Sequence, residues 1–298
     1  MHVAVTGSTG LIGEALIASL ERDGHVVHRV VRDRAAATGT SIFWSVARGE
    51  IDADAFAGLD AVVHLAAEPI GARRWTAKQK ARIRESRVAG TRLLATALAG
   101  LDEPPPVLVS GSAVGFYGDR GEEVLDETAG PGSDYMAHVC QDWEVAAAPA
   151  AAAGLRVVHP RTGVVMARKG PLIEKVEVPF KLGVGGRVGS GRQWVPWIAL
   201  GDHVRAMRFL LDRDDIAGPV NFVAPEPVRN VDLTRALGEA MHRPTVVPVP
   251  VFALRLLYGE VAVALGTVSQ RVVPAVLREA GFEWREPDLL GALQTALA

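Results

Sequence analysis

The stretch VTGSTGLIGEAL, residues 5–16, decides the fold expected of this chain. Its glycines Gly7, Gly10 and Gly13 stand three residues apart, after an apolar strand pattern and before a helical pattern that begins at Leu11. Glycine suits a tight turn between strand and helix because it adopts the required backbone dihedral angles at low cost. The N–H groups at the helix start are free to bind a pyrophosphate. The spacing is GxxGxxG rather than the commoner GxGxxG, and in this strand–turn–helix context it predicts nucleotide binding.

Composition and charge limit the classes of protein to which this chain can belong. Its 298 residues suffice for one large domain or two ordinary ones, and 49% of them are hydrophobic, so a substantial core can be buried. A net charge of −2 argues against a general binder of nucleic acid or acidic membranes, and we expect neither partner. The single cysteine, Cys140, excludes an internal disulfide and fits a reducing compartment. No secretory signal precedes the first strand pattern, so we expect a cytoplasmic protein.

Strand-like and helical patterns alternate along the first half of the chain. Strand-like runs cover residues 2–6, 26–32, 61–67, 106–112 and 155–161, and helical patterns cover about 11–23, with Gly24 as cap, 76–99 and 135–152. This order predicts an α/β protein with a Rossmann-type, doubly wound parallel sheet covered by helices on both faces. Ligands of such sheets bind at the carboxyl ends of the strands. The residues at those ends are Gly7, Arg32, Ala66, Ser110 and Arg161.

The pattern changes after about residue 168. We predict a cofactor domain over residues 1–167 and a smaller, mainly helical substrate lobe over residues 168–298. The run GPVNFVAP, residues 218–225, is expected to return a strand to the main sheet, within a segment at about 195–230 that rejoins the first domain. The stretch VFALRLLYGEVAVALG, residues 251–266, is broken by Arg255 and Glu260 and predicts a buried helix rather than a membrane span.

A glycine-rich loop, KLGVGGRVGSGRQW at residues 181–194, follows no strand and is interpreted as a binding loop or a turn. Arg192, Gln193, Trp194 and Trp197 lie on or beside it. Arginine offers forked donors to a carboxylate or phosphate, and tryptophan offers a flat apolar wall, so these residues predict a site for an anionic or planar substrate. The alternative is that the tryptophans belong to the core between the lobes and that the arginines pair with acids such as Asp202.

Several motifs resemble those of the extended short-chain dehydrogenase/reductase superfamily, namely the GxxGxxG turn, HLAA at residues 64–67 and SGSAVGFYG at residues 110–118. The resemblance narrows to an atypical, epimerase-like branch often named YfcH-like. It is carried by RRWTAKQKARIRESRVAGTRLL (73–94), CQDWE (140–144), GSGRQWVPWI (189–198), GPVNFVAPEPVRN (218–230) and QRVVPAVLREAGFEWREPDL (270–289). Residues at about 246–293 are similar to that branch's own C-terminal domain. The resemblance implies a Rossmann fold and NADP(H) as cofactor.

The residues after the second strand bear on the choice of cofactor. An NAD site normally offers a carboxylate near this point to the ribose hydroxyls. The strand here ends in VVRDR, residues 30–34. Arg32 can stack on adenine and pair with a 2′-phosphate, whereas Asp33 could bind an unphosphorylated ribose, and a plain solvated turn is the third possibility. We predict NADP(H), because Arg32 is nearer the strand end and the resembled family places an arginine there.

The resemblance implies further cofactor contacts. Arg87, on the long helix, is implied to face a phosphate, although residues 73–92 hold eight cations and one acid, which also fits a solvated helix face. Arg161, Gly163 and Val165 are expected to close over the nicotinamide. The complete set of expected cofactor-binding residues is Gly7, Thr9, Gly10, Leu11, Ile12, Gly13, Arg32, Leu65, Ala66, Ala67, Arg87, Ser110, Arg161, Gly163 and Val165.

The catalytic residues depart from the superfamily pattern. Standard members use Ser, Tyr and Lys, with Tyr and Lys spaced as YxxxK; the phenol transfers a proton, and the ammonium lowers its pKa and binds the nicotinamide ribose. Ser112 matches the serine and Tyr135 the tyrosine, but Val139 stands where the lysine belongs. A register shifted by one, which aligns Glu144, pairs Met136 with Cys140 instead.

Two other residues of this segment are candidate substitutes for the missing lysine or its tyrosine. His138 is a candidate acid, although such a histidine is more often an exposed polar residue. Cys140 is a weaker candidate nucleophile, because lone cysteines are usually buried packing residues.

Two functions are compatible with these residues. The first is an NADP(H)-dependent oxidoreductase or epimerase that acts by hydride transfer on a small polar substrate, with Ser112 and Tyr135 as candidate catalytic residues and no metal. The second is a protein that binds NADP(H) without turnover and signals to a partner. Turnover of any carbonyl substrate would favour the first, and tight binding without turnover would favour the second.

Overall fold

The computed structural model describes residues 1–298, which form 15 strands and 11 α-helices. The strands are β1 (His2–Thr6), β2 (Val26–Val31), β3 (Ile42–Ser45), β4 (Glu50–Ile51), β5 (Ala61–His64), β6 (Val107–Ser110), β7 (Ser112–Ala113), β8 (Val124–Leu125), β9 (Arg156–Thr162), β10 (Val164–Met166), β11 (Trp194–Val195), β12 (Trp197–Ala199), β13 (Gly218–Phe222), β14 (Val228–Arg229) and β15 (Arg271–Val272). The helices are α1 (Leu11–Arg22), α2 (Ala77–Ala99), α3 (Tyr135–Val145), α4 (Ala148–Ala152), α5 (Pro171–Lys181), α6 (Leu200–Leu211), α7 (Asn230–Ala240), α8 (Val251–Tyr258), α9 (Glu260–Gly266), α10 (Ala275–Glu279) and α11 (Leu289–Leu297).

A nine-stranded sheet with the order β13-β9-β6-β5-β1-β2-β3-β4 forms the centre of the fold, and β7 pairs with β9 beside this path. Every pair in it is parallel except β3–β4. Thr6 lies opposite Val30 of β2 on one side and His64 of β5 on the other, so three carboxyl ends meet at one edge. The predicted Rossmann-type, doubly wound sheet is confirmed.

Alternate residues of the central strands enter two different hydrophobic cores. Val3 and Val5 of β1 pack with Leu16 and Leu20 of α1 on one face of the sheet. Ala4, between them, faces the opposite core, where α2 and α4 pack. Successive side chains of a strand point to opposite faces, so an uninterrupted apolar run in a central strand requires helices on both sides.

A third core lies within the second half of the chain. It joins residues of α5, β12, α7 and α11, among them Ile173, Trp197, Leu233 and Leu293. The segment 218–225 supplies β13, which pairs in parallel with β9 at the edge of the main sheet. The two halves of the chain on either side of residue 167 are therefore interleaved in space, because the second half returns a strand to the main sheet.

Two helices replace the single one that we expected over residues 135–152. α3 ends at Val145 and α4 begins at Ala148, with Pro149 in its first turn. Proline has no N–H to donate, so it is favoured in the first turn of a helix and costs a hydrogen bond in the interior. Pro149 therefore begins a new helix instead of continuing α3.

The expectation of a buried helix over residues 251–266 is wrong for its first half. Gly259, at a φ of +80°, separates α8 from α9, and α8 has no buried residue. Phe252 and Leu256 are both 74% exposed, because no other element covers this side of α8. Only α9 reaches the interior, where Val261 packs against Trp75. No helix of the chain is both long and apolar enough to cross a membrane.

Candidate functional site

Glycines shape the turn between β1 and α1. Gly7 has a φ of +68°, and a Cβ there would lie 2.8 Å from the backbone N of Ala66. A Cβ on Gly13 would lie 2.2 Å from the carbonyl oxygen of Gly7, so α1 packs directly on the turn. Gly10 is the N-cap of α1, and no side chain caps the helix. The first N–H groups of α1 thus remain available to an anion. Thr9, Leu11 and Ile12, also expected to contact the cofactor, lie in this turn or in the first turn of α1.

A buried polar network holds the segment after β5 against this turn. The Thr6 hydroxyl oxygen accepts hydrogen bonds from the N–H groups of Leu65 and Ala66, at 3.0 and 3.1 Å, and lies 2.7 Å from Nδ1 of His64. Because that oxygen already accepts two N–H groups, its own proton is donated to Nδ1. His64 then carries its proton on Nε2, 3.0 Å from the Thr91 hydroxyl. Ala67 follows this segment and is half-buried.

His64 and Thr6 are site residues that the sequence analysis missed. Burial lowers the pKa of His64 to about 4, so the ring is neutral at physiological pH. The signal in the sequence was a histidine at the end of the otherwise apolar strand AVVH. Both ring nitrogens of a buried histidine need hydrogen-bond partners, which here are the hydroxyls of Thr6 and Thr91. Thr6 also holds the backbone segment after β5 that Gly7 approaches.

The three charged residues after β2 have three different surroundings. Arg32 is exposed and forms no ion pair or hydrogen bond within the chain. The Asp33 carboxylate accepts a hydrogen bond of 3.0 Å from a backbone N–H two residues further on and so caps a short 3-10 helix. Arg34 pairs with Asp52 at 3.1 Å and stacks on Phe43 at 3.8 Å. Of the three, Arg32 has the side chain that is free to bind a ligand.

A buried ion pair lies at the ends of β6 and β9. Arg161 pairs with both oxygens of Glu144 at 2.9 Å, and Ser112 donates a hydrogen bond of 2.6 Å to the same carboxylate. The guanidinium also stacks on Phe116 at 3.5 Å and donates to the Tyr117 hydroxyl. Burial, the largest single effect, lowers the pKa of Arg161, but the hydrogen bonds and charges of Glu144 and Tyr117 together outweigh it, and the net change is upward. Glu144, which served only to align the sequence, is thus the partner of Ser112.

Other residues of the expected cofactor set are buried or packed. The Val165 side chain lies in the core on the α1 face of the sheet, so its expected contact with the nicotinamide stays a prediction that only its backbone can fulfil. A Cβ on Gly163 would lie 2.8 Å from the carbonyl oxygen of Pro196. The close packing of these two backbone segments therefore accounts for a glycine at this position. Ser110 is fully buried and its hydroxyl has no partner in the chain.

Helix α3 carries Tyr135, His138 and Cys140 in three different surroundings. The Tyr135 hydroxyl donates to the carbonyl oxygen of Lys80 at 2.7 Å, and burial raises the pKa of the phenol. Cys140 is 1% exposed, and burial raises the pKa of its thiol to about 12, which is unsuitable for a nucleophile. His138 is exposed and forms no side-chain hydrogen bond.

Arg87 is buried rather than part of a solvated helix face. Its Nη1 donates to the carbonyl oxygens of Glu68 and Ile83, at 3.0 and 3.1 Å. Its guanidinium lies 4.9 Å from the centroid of the Trp143 ring. Burial lowers the pKa of this arginine.

The residues expected to bind substrate divide into two groups. Arg192 is exposed without an ion pair, and Gln193 lies with it beside a cavity of about 280 Å³ that Glu122 also lines. Trp194 donates from its indole N–H to Glu122 at 3.0 Å. Trp197 is 1% exposed and belongs to the third core, which favours a packing role for it, and its contact with a substrate stays a prediction.

The acidic partner proposed for these arginines is engaged elsewhere, since Asp202 pairs with Arg205. A larger groove of about 1160 Å³ runs between α1, α6 and residues 281–296. None of the expected site residues lines that groove.

The sheet order, the glycine turn and the uncapped N-terminus of α1 together define a nucleotide-binding protein of the Rossmann type. The sequence model of the NAD dependent epimerase/dehydratase family matches residues 3–223, and that of a domain of unknown function, DUF1731, matches residues 249–296. The chain belongs to the NAD dependent epimerase/dehydratase family. The predicted resemblance to its epimerase-like branch is confirmed.

Three relatives illustrate this membership. Epimerase family protein Mb2239 of Mycobacterium bovis is 41% identical over 98% of this chain and 96% of its own length. The crystal structure of human epimerase family protein SDR39U1 (isoform2) with NADPH has a TM-score of 0.88 at 30% identity, covering 100% of this chain and 99% of the human one. The nucleoside-diphosphate sugar epimerase from Corynebacterium glutamicum has a TM-score of 0.81 at 35% identity, and this chain spans 58% of that longer protein.

Proposed function

We propose that this protein binds NADP(H) and catalyses hydride transfer on a small polar substrate, as an oxidoreductase or an epimerase-like enzyme. The observation that carries the choice of NADP(H) is the free, exposed side chain of Arg32 at the carboxyl end of β2. A guanidinium in this place suits the 2′-phosphate, and the carboxylate of Asp33, which would favour NAD, is used to cap the next turn. The NADPH in the human relative supports the same cofactor.

The residues of the chain fit the parts of such a cofactor. The N–H groups at the start of α1 suit the pyrophosphate, and the missing Cβ of Gly7 lets the turn lie directly against the backbone of Ala66. When bound, the cofactor supplies or accepts the hydride. Ser112 donates its proton to Glu144 and therefore offers its lone pairs, as an acceptor, to a hydroxyl of the substrate.

Titration calorimetry with NADPH and NADH tests the cofactor assignment. We expect NADPH to bind at least about tenfold more tightly, a difference of roughly 1.4 kcal/mol. Arg32→Ala should erase most of this preference and leave the affinity for NADH nearly unchanged. Arg34→Ala is the matched control, because Arg34 is two residues away and already paired with Asp52. Equal affinities in the unmutated protein would contradict the assignment.

One observation favours the second function, a cofactor-binding sensor without turnover. The Tyr135 hydroxyl is committed to the Lys80 carbonyl, and no lysine follows it at the standard spacing. A broad panel of carbonyl substrates with NADPH separates the two functions. Oxidation of NADPH with any of them supports the enzyme, whereas tight binding with no turnover supports the sensor.

A further inference from the structure

Apolar side chains are concentrated at one place on the surface of the protein. Of the fourteen large hydrophobic side chains that the chain exposes, seven lie within residues 246–258, on α8 and on the segment that leads into it. They are Val246, Val247, Val251, Phe252, Leu256, Leu257 and Tyr258. Single exposed hydrophobic residues are ordinary on a protein surface, but a contiguous cluster of them is typical of an interaction site.

The end of α5 extends this cluster. Arg243, in the segment before α8, donates a hydrogen bond of 3.3 Å to the carbonyl oxygen of Lys181, the last residue of α5. A Cβ on Gly186 would overlap the carbonyl oxygen of Val247, so the two backbone segments touch. Three more exposed apolar side chains belong to the end of α5 and the residues after it, namely Val178, Leu182 and Val184. These ten side chains together are called the α8 face below.

The α8 face has the size of one side of a protein interface. At about 150–200 Å² for each large side chain when fully exposed, the exposed fractions of the ten amount to roughly 1,000 Å². The largest apolar patch of a typical monomer is about 300–600 Å². A stable dimer buries about 800 Å² of each partner. The α8 face therefore exceeds what a monomer ordinarily leaves in water, and its area suffices for a dimer.

The charged residues around the α8 face indicate which partner fits it. Arg255 on α8 is exposed and has no ion pair within the chain, and the same holds for Glu174 on α5 and Glu239 on α7. A rim that carries both signs can pair with a copy of itself across a two-fold axis, where each residue meets a different residue of the partner. An anionic membrane would instead repel the two glutamates. The rim therefore favours a second copy of this chain.

We propose that two copies of this chain associate through the α8 face about a two-fold axis, with α8 packed against α8 of the second copy and with Phe252 and Leu256 at the centre. These two residues stand four apart, on the same side of a helix that has no buried residue, and each is 74% exposed. Val251, in the first turn of α8, also lines the cavity beside Arg192 and Gln193, so the second copy lies at the edge of the candidate substrate site. The proposal does not depend on the proposed function, because association is measured without cofactor or substrate.

Sedimentation velocity between about 0.1 and 100 µM protein tests the association. We expect a dimer with a dissociation constant of about 1 µM or below. Leu256→Asp should raise this constant at least about 100-fold, because a two-fold interface contains each substituted residue twice. Val145→Asp is the matched control, since Val145 is also exposed but lies on α3, outside the α8 face, and its substitution should change the constant less than about twofold.

A pair of opposite charges tests the two-fold geometry. Leu256→Asp and Leu256→Lys should each be monomeric over this range of concentration, because like charges would face each other across the axis. An equimolar mixture of the two variants should associate at least about tenfold more tightly than either variant alone. Phe252→Asp and Phe252→Lys give the same comparison one helical turn away and decide the matter if a Leu256 variant does not fold.

Each contrary result has a distinct meaning. A chain that stays monomeric at about 100 µM would overturn the proposal. A dimer that survives Leu256→Asp would also overturn it, because the interface would then lie elsewhere. A mixture that behaves like its separate variants would overturn the contact of α8 with α8. Binding of the monomer to vesicles of phosphatidylcholine and phosphatidylglycerol, in place of self-association, would assign the α8 face to a membrane and likewise overturn the proposal.

Discussion

Removal of the Glu144 carboxylate, as in Glu144→Leu, is expected to cost several kcal/mol of folding free energy. The variant leaves the Arg161 guanidinium, whose side chain is 4% exposed, without its counter-charge, and it also removes the acceptor of the Ser112 hydroxyl. Breaking a buried pair from one side typically costs about 3–5 kcal/mol, because the remaining charge stays desolvated. We therefore expect a loss in this range for Glu144→Leu.

The double variant Glu144→Leu/Arg161→Met separates the cost of an unpaired charge from that of lost packing. Since replacing a whole buried ion pair by apolar residues is often nearly neutral, the double variant should lie within about 2 kcal/mol of the unmutated protein. Urea unfolding at neutral pH measures these free energies. The control is Asp142→Asn. Asp142 lies on α3, like Glu144, but its ion pair with Arg84 of α2 is exposed, so its loss should cost less than about 1 kcal/mol.

Two results would refute this reasoning. A loss below about 1 kcal/mol for Glu144→Leu would mean that water reaches Arg161 and replaces the carboxylate. Additive losses in the double variant would mean that the two side chains do not interact energetically.

Acid should destabilise the fold through His64, whose pKa is near 6.5 in the unfolded chain and about 4 in the folded chain. The contribution of His64 to stability is therefore complete above pH 6.5. It falls as the pH drops from 6.5 to 4, by up to about 1.4 kcal/mol per pH unit. Equilibrium unfolding of His64→Gln should lose this share of the slope, and an unchanged slope would contradict it. Gly13→Ala should abolish NADPH binding or lower the melting temperature, because its Cβ would lie 2.2 Å from the Gly7 oxygen, whereas Gly130→Ala, in open space, should do neither. Arg192→Ala should leave NADPH affinity intact and weaken substrate binding at least about tenfold, and loss of NADPH binding would place Arg192 in the cofactor site instead.

The sequence by itself determined the sheet and the nucleotide turn, because the causes of both are local. Apolar runs such as AVV in β5 are typical of a strand buried on both faces, and the order of strands and helices along the chain then favours a parallel sheet. The GxxGxxG spacing predicted the turn, since a positive φ at Gly7 and the close approach at Gly13 are demands of the backbone itself. Arg32 could be predicted for the same reason, as its position follows from where β2 ends.

The tertiary structure alone decided which polar side chains are buried and with what partner. Arg87 and Arg84 lie three residues apart in one helix, yet the first is buried without a carboxylate and the second is exposed with one. Trp194 and Trp197 are as close in sequence, but only Trp197 is in the core. Glu144 meets Arg161 and Ser112 because separate strands and a helix end at the same place. Such contacts join residues distant along the chain, and their energies depend on burial, which no local pattern of residues records.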